Sequence, residues 1–286
     1  MLKIENWILV LRSESLNVFF AYFPLLASDY FYISLISIGY WIGSGRVNFL
    51  SLAFLVPYST LLNCLLKNVF HIPRPDSELY LVPAHDPFGF PSGDVQVATV
   101  FWYYIFLNSR NLVKYLYFIP IIGIGISRIY LGVHSFNDVI FGFIVGIATI
   151  FIWINYLETQ IWKEQYFKYW TVVIVTIAGF FFFSFSRGLS IPPMVSMSSG
   201  ALIGLGILLP YFQGRLNYKM RIANALVYLF FVIIIFRLIP IIKTNALVLH
   251  ISIAGKFVFV IVSIFYIVPK IDQIFFHNIG KNSNSL

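Results

Sequence analysis

The sequence predicts an all-α, polytopic transmembrane bundle of about nine spans, and three observations predict it. The chain of 286 residues is 59% hydrophobic and only 10% charged, with a mean hydropathy of +0.86. A soluble domain carries about 25% charged residues. The apolar residues fall in runs near the roughly 20 residues that a spanning helix needs, and the few charges sit in the short links between them.

Taken in order, residues 4–27 are interrupted by polar residues and Pro24, and carry Trp7, Phe19 and Phe20. They read as interfacial helices, because aromatic rings prefer that layer. Candidate spans follow at 28–44, 48–66, 94–108, 112–130, 137–156, 170–186, 192–212, 220–239 and 250–268. This divides the chain into an interfacial N-terminal segment (1–27), a membrane core (28–186), and additional helices with a short polar tail from Lys281 (187–286). Within the last part, Ser196–Gly206 repeats small residues at helical spacing, which predicts close packing of helices inside the molecule.

Composition also excludes. The single cysteine, Cys64, rules out an internal disulfide and a cysteine-rich metal site. The net charge of +8 comes from cations spaced singly along short loops, which fits anionic lipid and not nucleic acid. With nine alternating spans, Arg46, Arg110, Lys114, Lys163 and Lys168 fall on the face opposite three polar motifs. Basic residues favour the cytoplasm, so the motifs are expected on the non-cytoplasmic side, in a bacterial inner membrane facing the periplasm.

The first motif runs from Lys67 to Arg74-Pro75, where Pro73 and Pro75 stiffen the backbone carrying the guanidinium. The second is Pro91-Ser92-Gly93-Asp94 at the start of a span, where glycine permits close approach and free N–H groups attract anions. The third is Ser127-Arg128, then His134 and Asp138. A carboxylate four residues after a histidine can fix its tautomer and leave the other nitrogen free. Each motif alone has a plainer reading: a snorkelling cation, a helix cap at Ser92 or Asp94, or a cap at Asn137 or Asp138. Together they assemble cations, serines and a helix start around a braced histidine.

This pattern resembles the signature of the type 2 phosphatidic acid phosphatase superfamily, which includes lipid phosphatases, glucose-6-phosphatase and vanadium haloperoxidases. Its order is Lys, six residues, Arg-Pro; then Pro-Ser-Gly-His; then Ser-Arg, five residues, His, three residues, Asp. The resemblance implies a six-helix core and a phosphatase that needs neither metal nor cofactor. It implies that His134 attacks phosphorus, oriented by Asp138, to give a phosphohistidine. Lys67, Arg74, Ser92, Gly93 N–H and Arg128 would hold the phosphoryl oxygens, with Ser127 part of the same motif.

One position departs from the pattern. Asp94 stands where the superfamily has the histidine that protonates the leaving group. A carboxyl with a pKa of about 4 is ionised at neutral pH, so three outcomes are open. The leaving group needs no proton, as in a diphosphate; another acid serves, His85 or His71; or the site only binds phosphate. Asp76, Glu78 and Asp86 are expected as solvated loop charges, with the orientation of a histidine an alternative for Asp86. The substrates expected are membrane lipid phosphates or diphosphates: polyprenyl diphosphate, phosphatidate-type lipids or lipid A phosphates. Transfer of the phosphoryl group to another lipid or sugar is an alternative to hydrolysis.

Overall fold

The computed structural model describes residues 10–42, 47–84, 86–158, 166–212, 222–238 and 245–272. Eleven α-helices carry this part of the chain: α1 Glu14–Tyr22, α2 Asp29–Ile42, α3 Phe49–Phe70, α4 Gly93–Asn108, α5 Phe118–Tyr130, α6 Phe136–Ile152, α7 Tyr166–Ser186, α8 Pro193–Phe212, α9 Ile222–Leu238, α10 Ala246–Val262 and α11 Val268–Asp272. Short 3₁₀ segments (Phe23–Ala27, Leu112–Tyr117) and π turns (Trp153–Leu157, Ser263–Ile267) extend several of them.

Four of these helical stretches are long and apolar enough to cross a membrane: Phe49–Phe70, Leu112–Tyr130, Phe136–Leu157 and Ala246–Asp272. A fifth arises if Glu14–Ala27 and Asp29–Ile42, bent by 50° at Ser28, form one broken span. The nine spans expected from hydropathy are therefore not all present at full length among the described residues. α4 stops after 16 residues and α2 after 14. Three further helices, α7, α8 and α9, are apolar over Tyr169–Phe182, Pro193–Leu209 and Asn224–Ile234. Hydropathy counts apolar residues, whereas α4 spends its apolar face on neighbouring helices, with Val95, Ala98, Val100 and Phe101 buried.

α3 is the organising element, packing against α2, α4, α7 and α8. Asn48 caps its start by accepting from the N–H groups of Leu50 and Ser51. It ends at His71, whose left-handed backbone (φ 57°) lets its N–H return to the Lys67 carbonyl. α4 packs on α5 and α6, and α8 packs on α10 and α3. Aromatic rings fill the centre, where Phe54 stacks on Trp153 at 4.5 Å.

Polar ties bind the distant parts of the chain. The Trp41 indole donates to the Ile264 carbonyl at 2.9 Å. Glu158 accepts from Ser51 and from Tyr104, joining α3, α4 and the end of α6. Arg12 donates to the carbonyls of Leu79 and Tyr130, so the N-terminal segment is strapped to the bundle. The small-residue pattern of α8 does what its spacing predicts. A Cβ at Gly200 would lie 2.2 Å from the Ala254 carbonyl oxygen of α10.

Gly200→Leu is therefore expected to cost about 1–3 kcal/mol or more through overpacking, read as earlier thermal unfolding in detergent. Gly255→Ala is the control. A Cβ there meets nothing within 4 Å, so its expected shift is nil or slightly stabilising, because alanine favours helix.

Candidate active site

The three motifs meet at one end of α3, α4 and α6, and local hydrogen bonds explain why. Ser135 caps α6 by accepting from Asp138 N–H, while Asp138 Oδ2 accepts from Ser135 N–H at 2.8 Å, a capping box. The same Oδ2 lies 3.3 Å from His134 Nδ1. The plain cap and the braced histidine are thus one arrangement. Ser92 N–H donates to the Asp138 carbonyl, tying the start of α4 to the start of α6. Asn63 on α3 donates to the Pro91 carbonyl and to Gln96, and Gln96 donates to Ser59. That buried amide pair fixes the second motif against the first. Gly93 is required by it, since a Cβ would lie 2.8 Å from Asn63 Oδ1.

A cavity of about 140 Å³ opens among these elements, lined by Asn63, Lys67, Arg74, Asp86, Gly93, Asp94 and His134, with Asp29 at its rim. Arg74 donates through Nη1 to His134 Nε2 (3.0 Å) and to the Val133 carbonyl (2.8 Å). A guanidinium has no acceptor. Nε2 must therefore carry the lone pair and Nδ1 the proton, facing Asp138. That is the tautomer a nucleophilic Nε2 requires.

Asp86 overturns its expected role as a solvated loop charge. Its carboxylate bridges Lys67 Nζ (2.9 Å) and Arg74 Nη2 (3.1 Å), and its backbone carbonyl accepts from Arg74 Nε (2.8 Å). Burial raises its pKa, but Lys67 and Arg74 outweigh burial and hold the carboxyl below the ordinary range. Spacing alone gave no sign of this. The available signal was charge, because two cations entering an apolar bundle need a counter-charge from some loop. Asp76 and Glu78 stay exposed.

Asp94 is not free either: its Oδ2 sits 2.7 Å from Arg128 Nε. The N–H of Arg128 is not aligned for a hydrogen bond, and the buried Ser92 Oγ also lacks a partner among the described residues. Ser92 does not cap α4 with its side chain. Buried polar atoms are normally satisfied; the Tyr32 hydroxyl, which lines the cavity, is a third without a partner among the described residues. Among the described residues, no group of histidine, cysteine and carboxylate side chains forms a metal-binding cluster.

Other expected residues lie elsewhere. Ser127 Oγ donates to the Phe20 carbonyl and anchors the N-terminal segment away from the cavity. His71 caps α3 and packs its ring on Phe88, outside the cavity lining. His85 lies outside the described residues, as do Lys163, Arg46 and the tail from Lys281. The half of the chain without motifs does reach the site. A larger cavity of about 590 Å³ beside the pocket is walled by Lys67, Asp86 and Phe88 on one side and by Leu189, Pro193, Met194 and Met197 on the other.

The fold and this pocket define an integral membrane protein of helical-bundle type with a cation-lined cavity around a braced histidine. Residues 48–162 match the family described as the PAP2 superfamily. The chain is also 29% identical over 160 residues to a dihydrosphingosine 1-phosphate phosphatase of Schizosaccharomyces pombe. That alignment covers 50% of this chain and 38% of the yeast protein. No solved structure gives a significant match.

Burial depresses the pKa of His134 from 6.5 to about 4, and Arg74 and Lys67 add to it against the opposing pull of Asp138. The imidazole is then neutral above about pH 4. Because the folded-state value lies below the unfolded one, the stability linked to this group is intact above 6.5 and lost as pH falls through 4. An NMR titration of the ligand-free protein is expected to find His134 uncharged at pH 6. A titration midpoint near 6.5 would contradict the buried, arginine-capped ring.

Proposed function

We propose that the protein is a membrane lipid phosphatase that works through a phosphohistidine, without a metal or cofactor, on the non-cytoplasmic face of a bacterial inner membrane. The observation that carries this reading is the state of His134. Its Nδ1–H faces Asp138 and its Nε2 lone pair opens on a cavity holding Lys67 and Arg74. A phosphoryl group entering that cavity takes over the Arg74 donor now spent on Nε2 and frees the nucleophile. Charge developing on the equatorial oxygens falls against Lys67, Arg74, the Ser92 hydroxyl and the N-terminus of α4, with Arg128 behind Asp94. In phosphoryl transfer, fixed charges of this kind usually do more to lower the barrier than any other effect. Water then attacks the phosphohistidine and releases phosphate.

The candidate substrates are lipid phosphomonoesters and diphosphates, polyprenyl diphosphate among them. The yeast relative, named for dihydrosphingosine 1-phosphate, weighs toward a single-chain monoester. The ion-paired Asp94 is a poor proton donor, so an alkoxide leaving group requires another source of its proton.

Purified protein in detergent with EDTA is expected to release phosphate from lipid monophosphates or diphosphates. His134→Ala should remove that activity, while chelation should leave it unchanged. Asp94→His is expected to raise turnover of simple monoesters, since general acid help is worth about 10²–10⁴-fold. Release that survives His134→Ala would sink the proposal.

A further inference from the structure

An alkoxide leaving group needs a proton, and the Asp94 carboxylate is already taken up by Arg128. Most side chains lining the phosphate pocket that carry a hydrogen to donate already spend it. Asn63 gives both amide hydrogens to the Pro91 carbonyl and to Gln96. Thr60 donates to the Val56 carbonyl of its own helix. Lys67 and Arg74 are held by Asp86 and face the phosphoryl oxygens of the proposed reaction. The Cys64 thiol is a weak donor. The Tyr32 hydroxyl is different. Tyr32 is 2% exposed and lines the pocket, and its hydroxyl has no hydrogen-bond partner among the described residues.

Its position is equally distinct. Tyr32 stands on α2, ahead of the first motif, with its ring held against Phe101 at 5.0 Å between centroids. It lies near enough to Asp94 for that charge to act on it, which sets it close to the start of α4. It lines two cavities at once: the phosphate pocket, and an apolar cleft that runs between α2, α3, α8 and α10 past Ile36, Ala201 and Phe257. In a phosphate ester the bridging oxygen joins the polar group to the carbon chain. With phosphorus at His134 and the chain in the cleft, that oxygen lies at the seam between the two cavities. Asp29, Tyr32, Val56 and Thr60 form the seam. Val56 is apolar, Thr60 has spent its hydrogen, and Asp29 carries one only when protonated. A phenol, with an ordinary pKa of about 10, keeps its proton at neutral pH.

Resting on the phosphatase reading, we propose that Tyr32 is a catalytic residue whose hydroxyl protonates the bridging oxygen of a phosphate monoester. His134 Nε2 forms the bond to phosphorus as the ester P–O bond breaks. The electron pair of that bond goes to the bridging oxygen, which takes the Tyr32 proton, and the product leaves as an alcohol. The transfer runs downhill, because an alkoxide is a stronger base than a phenolate. The phenolate then takes a proton from the water that forms a P–O bond as the N–P bond breaks. That step releases hydrogen phosphate and restores both the imidazole and the phenol. The acid of the reaction is thus supplied by α2 and by none of the three motifs.

The test compares dodecyl phosphate with its analogue in which sulfur replaces the bridging oxygen, both in detergent micelles with EDTA, by phosphate release. A thiolate leaves without a proton, so the sulfur ester bypasses the acid. Tyr32→Phe keeps the ring against Phe101 and removes only the hydroxyl. It is expected to lower kcat for the oxygen ester by about 10²-fold or more, the range of general acid help. The sulfur ester should stay within a few-fold of wild type. Asp29→Asn, which alters the other polar group of the seam, is expected to change the two esters alike. Because the hydroxyl has no partner to lose, Tyr32→Phe should unfold at or above the wild-type temperature. Equal loss on both esters, no loss on either, earlier unfolding of Tyr32→Phe, or a selective loss in Asp29→Asn instead overturns the inference and leaves the phosphatase reading standing. No wild-type release from the oxygen ester, with release from the sulfur ester or from a lipid diphosphate, does the same. No release from any of the three substrates overturns both readings.

Discussion

Two cations carried to the end of an apolar helix bundle must be paired, and the whole site follows from how Asp86 pairs them. Lys67 leaves the last turn of α3 and Arg74 stands just beyond it, both with side chains nearly closed to solvent. Removing one partner of a buried pair costs about 3–5 kcal/mol. The Asp86 loop is therefore held against α3 by a penalty far larger than surface electrostatics supply. With Arg74 fixed from one side by Asp86, its other nitrogen reaches His134, and the imidazole is turned so that its far nitrogen meets Asp138. One carboxylate sets a guanidinium, which sets a tautomer.

The same arrangement explains why so polar a site survives among so many phenylalanines. Charges are placed in alternating sign along a continuous chain: Lys67, Asp86, Arg74, then neutral His134 and Asp138. The amides of Asn63 and Gln96 saturate the backbone beneath. A partly satisfied network in low dielectric would be costly. Among the described residues of the site, Tyr32 OH, Ser92 Oγ and Arg128 Nε are left without a hydrogen-bond partner.

Much of this was legible in the sequence, for a physical reason. Lys67, Arg74, His134 and Asp138 stood out by their spacing, and the structure brings them together. The close contact of α8 with α10 was legible for the same reason, since small residues recur at the helical period. Asp86 was not, because its loop has no periodicity and pairing is a property of three dimensions. Ser127 was misleading. It belongs to the motif by position, but its hydroxyl serves the Phe20 carbonyl, a contact with a segment 107 residues away in sequence. The count of nine spans is not confirmed at α2 and α4, helices of 14 and 16 residues.

The vestibule has two owners. One wall, from Lys67 to Phe88, belongs to the stretch that carries the three motifs, and the other, from Leu189 to Met197, belongs to helices that carry none of them. On the phosphatase reading proposed above, selectivity and reactivity would be written in separate parts of the chain. Substitutions around Pro193 and Met194 can redraw the shape of what enters while the histidine and its cations stay untouched. A lineage could change its diet of lipids by editing the second half alone.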